Sequence, residues 1–358
     1  MKIAVIGTVG LPANYGGFET LVENLVQHLG FRYQFTVYCS SINRADRPKK
    51  CGNADLVYIP LQANGAQSIP YDIISIFKAI VSSDVLLVLG VSGCICLPFV
   101  KKISKKKIIV HIDGLEWKRA KWGAWAKSFL KMSEHIAIKY ADIIIADNFA
   151  IQEYIKEEYQ KKSELIAYGG DHVVPAKIDQ NLAWEYSFTR KSYAFKVCRI
   201  EPENNVHMVL EAFSKNKKMP LVVVGNWANS EYGQMLRVNY KQNNIQLLDP
   251  IYDQSKLYIL RSNAALYVHG HSAGGTNPSL VEAMYLGLPI IAFDVNYNKE
   301  TTKNNAIYFN SADKLDEIIN GLDRLDLSIL GSKMHELALK HYTWGNISEK
   351  YADLFDET

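Results

Sequence analysis

The sequence predicts an α/β protein of two doubly wound parallel-sheet domains, on three observations. The chain has 358 residues, more than one hydrophobic core usually supports. Apolar strand-like runs alternate with helix-compatible stretches from the first residue, and such alternation implies parallel strands joined by helical crossovers. The alternation weakens through 173–190 and then restarts. The expected division is therefore an N-terminal domain over 1–172, a linker over 173–190, a C-terminal domain over 191–340 and a terminal helix over 341–358.

In the first half, strands are expected at 2–7, 35–39, 54–61, 84–89, 107–111 and 142–146. The first gives way to a loop from Thr8 to Glu19 that contains Gly16 and Gly17, and Leu21, Val22, Leu25, Val26 and Leu29 then fall at helical spacing. A strand, a glycine loop and a helix in succession make a candidate ligand cradle. No Gly-Lys-Ser/Thr ends the loop, so it is not a Walker loop, and the compact dinucleotide fingerprint is absent as well. The apolar run 85–100 is broken by Gly90, Ser92, Gly93 and Pro98 and falls short of the ~20 residues that a membrane-crossing helix needs. It reads as a buried strand followed by a short helix.

In the second half, strands are expected at 193–200, 221–225, 245–248, 264–269 and 289–293. A ligand crevice is expected where the C-terminal ends of the strands of the two halves face each other. The segment 344–355 is amphipathic, and its pattern alone does not say which domain it joins.

The composition, 48% hydrophobic and 22% charged, is that of a globular protein rather than a disordered or fibrous one. Five cysteines lie in apolar contexts with no CxxC pair and no secretory signal, which reads as buried thiols in a reducing cytoplasm. Cys94 and Cys96 lack a companion pair at ligand spacing, so no metal site is expected.

The net charge of +3 conceals an asymmetry. Residues 101–140 hold eleven Lys or Arg against three acids, which leaves the remainder net negative by five. This excludes a general nucleic-acid coating and points to one basic face. The run 101–107, with Lys105 and Lys106, reads either as a solvated connector or as part of that face. Beyond it Trp117, Trp122, Trp125, Phe129, Met132 and Ile136 fall on one helical stripe, with Lys118, Arg119, Lys127 and Lys131 close by. Tryptophan beside Lys and Arg at a helix edge suits peripheral contact with an anionic membrane surface, and tryptophan in a core is the competing reading.

The run from His269 to Pro289 carries the most chemistry. An apolar strand ends at His269; Gly270, Gly274 and Gly275 let backbone approach a ligand; Thr276, Asn277, Pro278 and Ser279 are helix-start residue types. The free amides and dipole of such a helix start attract phosphate. Glu282 would lie about one turn inside, where its carboxylate can accept hydrogen bonds from ribose hydroxyls. The competing reading is an ordinary capped helix.

Taken together, Gly16-Gly17-Phe18-Glu19, Arg199-Ile200-Glu201-Pro202-Glu203, Asn277 to Met284 with Gly287-Leu288-Pro289, and the closing Tyr342-Thr343-Trp344 resemble the retaining nucleotide-sugar glycosyltransferases of family four. The resemblance covers essentially the whole chain and implies the glycosyltransferase-B fold, two Rossmann-like domains. The stretches 6–19, 111–117 and 274–278 look most like bacterial β-1,4-rhamnosyltransferases. These use dTDP-rhamnose and extend a saccharide carried on a polyprenyl diphosphate, at the cytoplasmic face of the cell membrane. Two positions depart from the family pattern: its first paired glutamate is Gly274 here, and its usual Lys-Gly is Asn204-Asn205. Loss of that glutamate suits a deoxy sugar, and loss of the lysine leaves Arg199 as the cation for the leaving diphosphate.

With no acidic metal pair prominent in the crevice loops, no cofactor or metal is expected, and fixed donors must stabilise the departing charge. The candidates are Arg199, the amides of Gly16 and Gly17, and the helix start at Thr276 to Ser279; a salt bridge of Arg199 with Glu201 or Glu203 is the alternative. Asp113 and His111, at a strand end, are the candidate base or orienting groups, and for His111 a buried structural role competes. By resemblance Glu201 faces the sugar and Tyr252 flanks the nucleobase. Another donor such as a UDP-sugar, a sugar-nucleotide epimerase and an inactive partner subunit on the same fold stand as the alternatives.

Overall fold

The computed structural model describes every residue except 14, 15, 43, 45, 113, 119–121 and 358. The chain divides into two compact units. One comprises Met1–Tyr168 with Trp344–Thr358, the other Gly169–Thr343.

The first unit is built on a sheet of β1 (Lys2–Ile6), β2 (Gln34–Ser40), β3 (Lys50–Cys51), β4 (Ala54–Ile59), β5 (Val85–Leu89), β6 (Lys107–Ile112), β7 (Ile143–Ala146) and β8 (Glu164–Leu165). Its order is β3-β4-β2-β1-β5-β6-β7-β8, parallel except where β3 runs antiparallel to β4. The all-apolar Val-Leu-Leu-Val-Leu of β5 is buried along its length, as a strand covered by helices on both faces requires. The helix Gly17–Leu29 buries the expected stripe of Leu21, Val22, Leu25, Val26 and Leu29. Strand order reverses between β1 and β5, so the loop that leaves β1 opens at a switch point, where open α/β sheets hold ligands.

The second unit carries β9 (Ala194–Val197), β10 (Leu221–Val224), β11 (Ile245–Leu248), β12 (Leu266–His269), β13 (Ile290–Phe293) and β14 (Ile307–Phe309). The order β11-β10-β9-β12-β13-β14 is parallel throughout, and it reverses between β9 and β12. The helix Val206–Lys215 buries Val206, Val209, Leu210 and Phe213 against this sheet's core, with Trp227 and Phe309 in the same cluster. Residues 173–190, expected as a linker, group with this unit and include a helix, Gln180–Glu185, capped by Asp179.

The helix Trp344–Asp356 belongs to the first unit. It buries Trp344, Ile347, Tyr351, Ala352 and Phe355, and Phe355 meets Tyr33 edge-on at 5.4 Å. Lys107 Nζ donates to the carbonyl of Leu354 at 2.6 Å, and Arg32 pairs with Asp356. The apolar run 85–100 becomes β5, a short turn at Cys94–Cys96 and the start of helix Leu97–Ile103. Among the described residues no helix is long and apolar enough to cross a membrane.

Candidate active site

In the second unit the site is laid out by the switch point between β9 and β12. Two loops leave the C-terminal ends of these strands and are fastened together there. Asn205, in the left-handed region at φ 46°, donates from Nδ2 to the Gly270 carbonyl at 2.9 Å. Ser272 donates from its amide and its hydroxyl to the Glu203 carbonyl at 2.8 and 2.9 Å. Gly270 passes so close beneath the first loop that a Cβ on it would stand 2.4 Å from the Asn204 oxygen. Gly274 turns the chain at φ 123° with nothing within 4 Å of where a side chain would begin, so the turn is open.

The helix Pro278–Tyr285 follows, with proline in its first position and Asn277 as its cap. Asn277 Oδ1 accepts from the Ser279 amide at 3.1 Å and from its hydroxyl at 2.7 Å. The buried Tyr267 of β12 donates to Ser279 Oγ at 2.9 Å, so the serine hydroxyl helps to hold the helix start. Thr276 is buried and Gly275 half-buried beside it.

Glu282 lies one turn inside the helix and is buried, with both oxygens already engaged. One sits 3.1 Å from His172 Nε2; the other pairs with the guanidinium of Arg261, a buried residue on the helix Gln254–Ser262. Burial alone would raise this carboxyl, but the charge of Arg261 and the hydrogen bonds from His172 and Arg261 outweigh it and hold it down at about 2. Any ribose hydroxyl would join an array already formed. Nothing in the local spacing announced Arg261, which is 21 positions away.

Arg199 stands on the first loop with its side chain 48% exposed. Its Nε is 3.8 Å from Glu201 Oε2, beyond hydrogen-bond range, so Glu201 does not lock the guanidinium. Asn204 Nδ2 donates to the Arg199 carbonyl at 2.6 Å and fixes the loop's shape. Tyr252 is exposed in the loop after β11, the edge strand, which β10 and β9 separate from β12.

In the first unit the loop after β1 is organised by a carboxylate. Glu19 Oε1 accepts from Thr8 Oγ1 at 2.8 Å and from the Val9 amide at 2.7 Å. Gly16 sits at φ 125°, a backbone conformation that favours glycine, with Glu19 Oε2 1.9 Å from where a Cβ would stand, and Gly17 opens the helix. The next residue, Phe18, meets His111 edge-on at 5.4 Å, which brings this helix start beside the end of β6. His111 is fully buried, and burial draws its pKa down to about 3, so the ring is neutral. Its Nδ1 shares a 2.7 Å hydrogen bond with the hydroxyl of Tyr351 from the terminal helix, while Nε2 has no partner among the described residues. Asp113 lies outside the described residues.

The expected membrane stripe divides. Trp117 turns inward and donates to the buried Glu134 at 3.1 Å; Tyr154 and Tyr159 donate to the same carboxylate at 2.6 Å, and Lys131 lies 4.7 Å from the Trp117 ring centre. Lys118 lies over the same ring at 5.2 Å, and Trp122 donates to Glu116 at 3.2 Å. The helix Ala124–Tyr140 begins only after these two tryptophans. Trp125, 93% exposed, and Met132 remain on the surface with the exposed Lys105, whereas Lys106 lies 3.7 Å from Asp84. Arg119 lies outside the described residues. Among the described residues no group of three or more His, Cys, Asp or Glu is placed to hold a metal ion.

Residues 180–326 match the family model described as glycosyl transferases group 1, and residues 1–171 match that of a domain of unknown function, DUF1972. An uncharacterized glycosyltransferase of Methanocaldococcus jannaschii is 22% identical over 280 residues, 72% of this chain and 70% of that protein. Among solved structures, sucrose-phosphate synthase of Thermosynechococcus elongatus is similar with a TM-score of 0.84 at 15% identity, covering 99% of this chain and 98% of that one. Anabaena HepE in complex with UDP-glucose is similar with a TM-score of 0.76 at 15% identity, covering 99% of each chain.

Proposed function

We infer that the chain is a glycosyltransferase of the group 1 family, on the two-domain α/β fold of the glycosyltransferase-B type. Catalysis by such a protein requires a nucleotide-sugar donor to be held by its diphosphate while the sugar carbon stays open to attack. The junction Gly274 to Glu282 supports that reading best. It lies within the matched segment 180–326, at the strand-order reversal between β9 and β12, and it opens a capped helix whose dipole favours negative charge at its start.

In the reaction proposed, an acceptor hydroxyl attacks the anomeric carbon as the bond from that carbon to the β-phosphate oxygen breaks. The nucleoside diphosphate leaves with the bonding pair and accepts the hydroxyl proton, and the sugar keeps its anomeric configuration. Arg199, on the loop facing the junction, and the dipole of the helix that starts at Pro278 neutralise the leaving charge without a metal in this scheme. His111 is fully buried and neutral at pH 7, and its role in this scheme is to support the fold of the first unit.

The donor proposed is dTDP-rhamnose. Gly274, open and without a side chain, offers no carboxylate to a donor hydroxyl, which favours a deoxy sugar. HepE, solved with UDP-glucose, supports a nucleotide sugar as the donor class. The acceptor proposed is a saccharide on a polyprenyl diphosphate, met at the inner face of the cell membrane, and the exposed Trp125, Met132 and Lys105 support such contact.

Nucleotide binding tests the reading, since a ligand that binds the folded state raises its melting temperature. dTDP at millimolar concentration should raise it, and by more than UDP does. If neither nucleotide shifts it, the transferase reading fails; a larger shift with UDP removes dTDP-rhamnose as the donor.

A further inference from the structure

One charged side chain of the second unit is unexplained by the fold and unused by the mechanism above. Lys196 interrupts the apolar strand β9, Ala-Phe-Lys-Val, and is fully buried with no hydrogen-bond acceptor for its Nζ among the described residues. A buried ammonium without a partner costs several kcal/mol, so burial lowers the pKa of Lys196. Its surroundings are specific. Nζ would stand 2.9 Å from a Cβ placed on Gly270, so the absence of a side chain at 270 is what gives the ammonium its room. On β12 next to it, His269 is fully buried with both ring nitrogens unpartnered, and it stacks on His271 at 4.3 Å between ring centres. No carboxylate is paired with Lys196 among the described residues. A buried cation with no paired carboxylate among the described residues therefore lies under the two loops that meet at the switch point.

We propose that Lys196 is the buried cation of the donor site, its ammonium beneath Gly270 being answered by the diphosphate of a bound nucleotide. The proposal rests on the reading of this junction as a nucleotide-sugar site. What it adds is a positive charge delivered from inside the sheet rather than from the loops. In the dry interior such a charge acts on a phosphate with little screening, and it is compensated only when the anion arrives. The pairing asks for a ligand with phosphate, so the nucleoside part of the ligand should not sense Lys196.

The test compares full-length wild type with Lys196→Met and Lys196→Gln. Each is titrated with dTDP, UDP, thymidine and uridine by calorimetry, and the ligand-free melting temperatures are measured. The expected result is a loss of diphosphate affinity of about 30-fold or more, unchanged nucleoside affinity, and a ligand-free melting temperature equal to or above that of wild type, because a buried unpaired charge has gone. Undiminished diphosphate binding in the variants overturns the proposal. So does a strong loss of stability in both, which would make Lys196 a structural member of the core, and so does an equal loss for nucleosides and diphosphates. If wild type itself binds none of the four ligands, what fails is the donor-site reading, and the proposal falls with it.

Discussion

At the residue scale, two candidate side chains, one in each unit, are built in opposite ways. Arg199 is half exposed, as a group that must meet a ligand should be. Arg199→Ala should therefore abolish sugar transfer while leaving the melting temperature within about 1 °C, since exposed ion pairs contribute little to stability; an active Arg199→Ala enzyme would remove Arg199 as the clamp on the leaving group. His111 is buried and neutral, its pKa drawn down to about 3 from an ordinary 6.5. The unfolded chain thus takes up the proton first as pH falls, so the contribution of His111 is complete above about 6.5 and is lost as pH drops toward 3, at up to about 1.4 kcal/mol per pH unit. Urea unfolding at pH 7 and pH 5 should show a smaller loss for His111→Gln than for wild type, and equal losses would contradict a neutral buried ring. The local settings of Arg199, Asn277 and Gly16 were legible because each is written in adjacent residues: a loop, a cap, a turn. Tyr351, Arg261 and Lys196 were not. Tyr351 meets His111 across 240 positions, and a single lysine in an apolar strand has no periodicity to reveal it.

At the scale of elements, the helix Pro278–Tyr285 was legible down to its cap because helix starts are written in adjacent residues. What its sequence did not reveal is that Glu282 is clasped from two other elements. That clasp makes Glu282 structural as well as a candidate for ribose. Its pKa is held at about 2 against an ordinary 4.5, so its contribution is complete above about 4.5 and is lost as pH falls through 2. Glu282→Ala leaves Arg261 buried and uncompensated, and should both weaken dTDP binding and destabilise the second unit by about 3–5 kcal/mol in denaturant unfolding. A variant as stable as wild type would show that the pair is not formed. Longer apolar strands such as β5 and β10 were read directly. The short edge pieces β3, β8 and β14 were missed, since two or three residues flanked by polar ones carry no strand pattern. The tryptophan stripe was misread for a related reason: a helical period was extended through Trp117 and Trp122, which lie ahead of the helix Ala124–Tyr140, and a buried carboxylate, Glu134, captures the first of them.

At the scale of the molecule, the chain leaves its first unit after Tyr168 and returns to it at Trp344. The amphipathic face of the last helix was visible in the sequence, but its destination was not, because periodicity records that a face is buried and not against what. Surface composition is a whole-molecule property too, and the concentration of positive charge in 101–140 leaves Trp125 exposed in a basic region. Trp125→Ala combined with Lys105→Glu should reduce co-sedimentation with phosphatidylglycerol vesicles several-fold and leave dTDP affinity unchanged; undiminished sedimentation would remove this surface as a membrane contact. The claim on which everything else depends is transfer from a nucleotide sugar. Its most direct test is release of dTDP from dTDP-rhamnose by the purified protein, with and without a polyprenyl-diphosphate-linked saccharide. The expected result is dTDP release that depends on the acceptor and is matched by one rhamnose gained per dTDP formed. An altered free nucleotide sugar, or no turnover of dTDP-rhamnose with that acceptor, would contradict it.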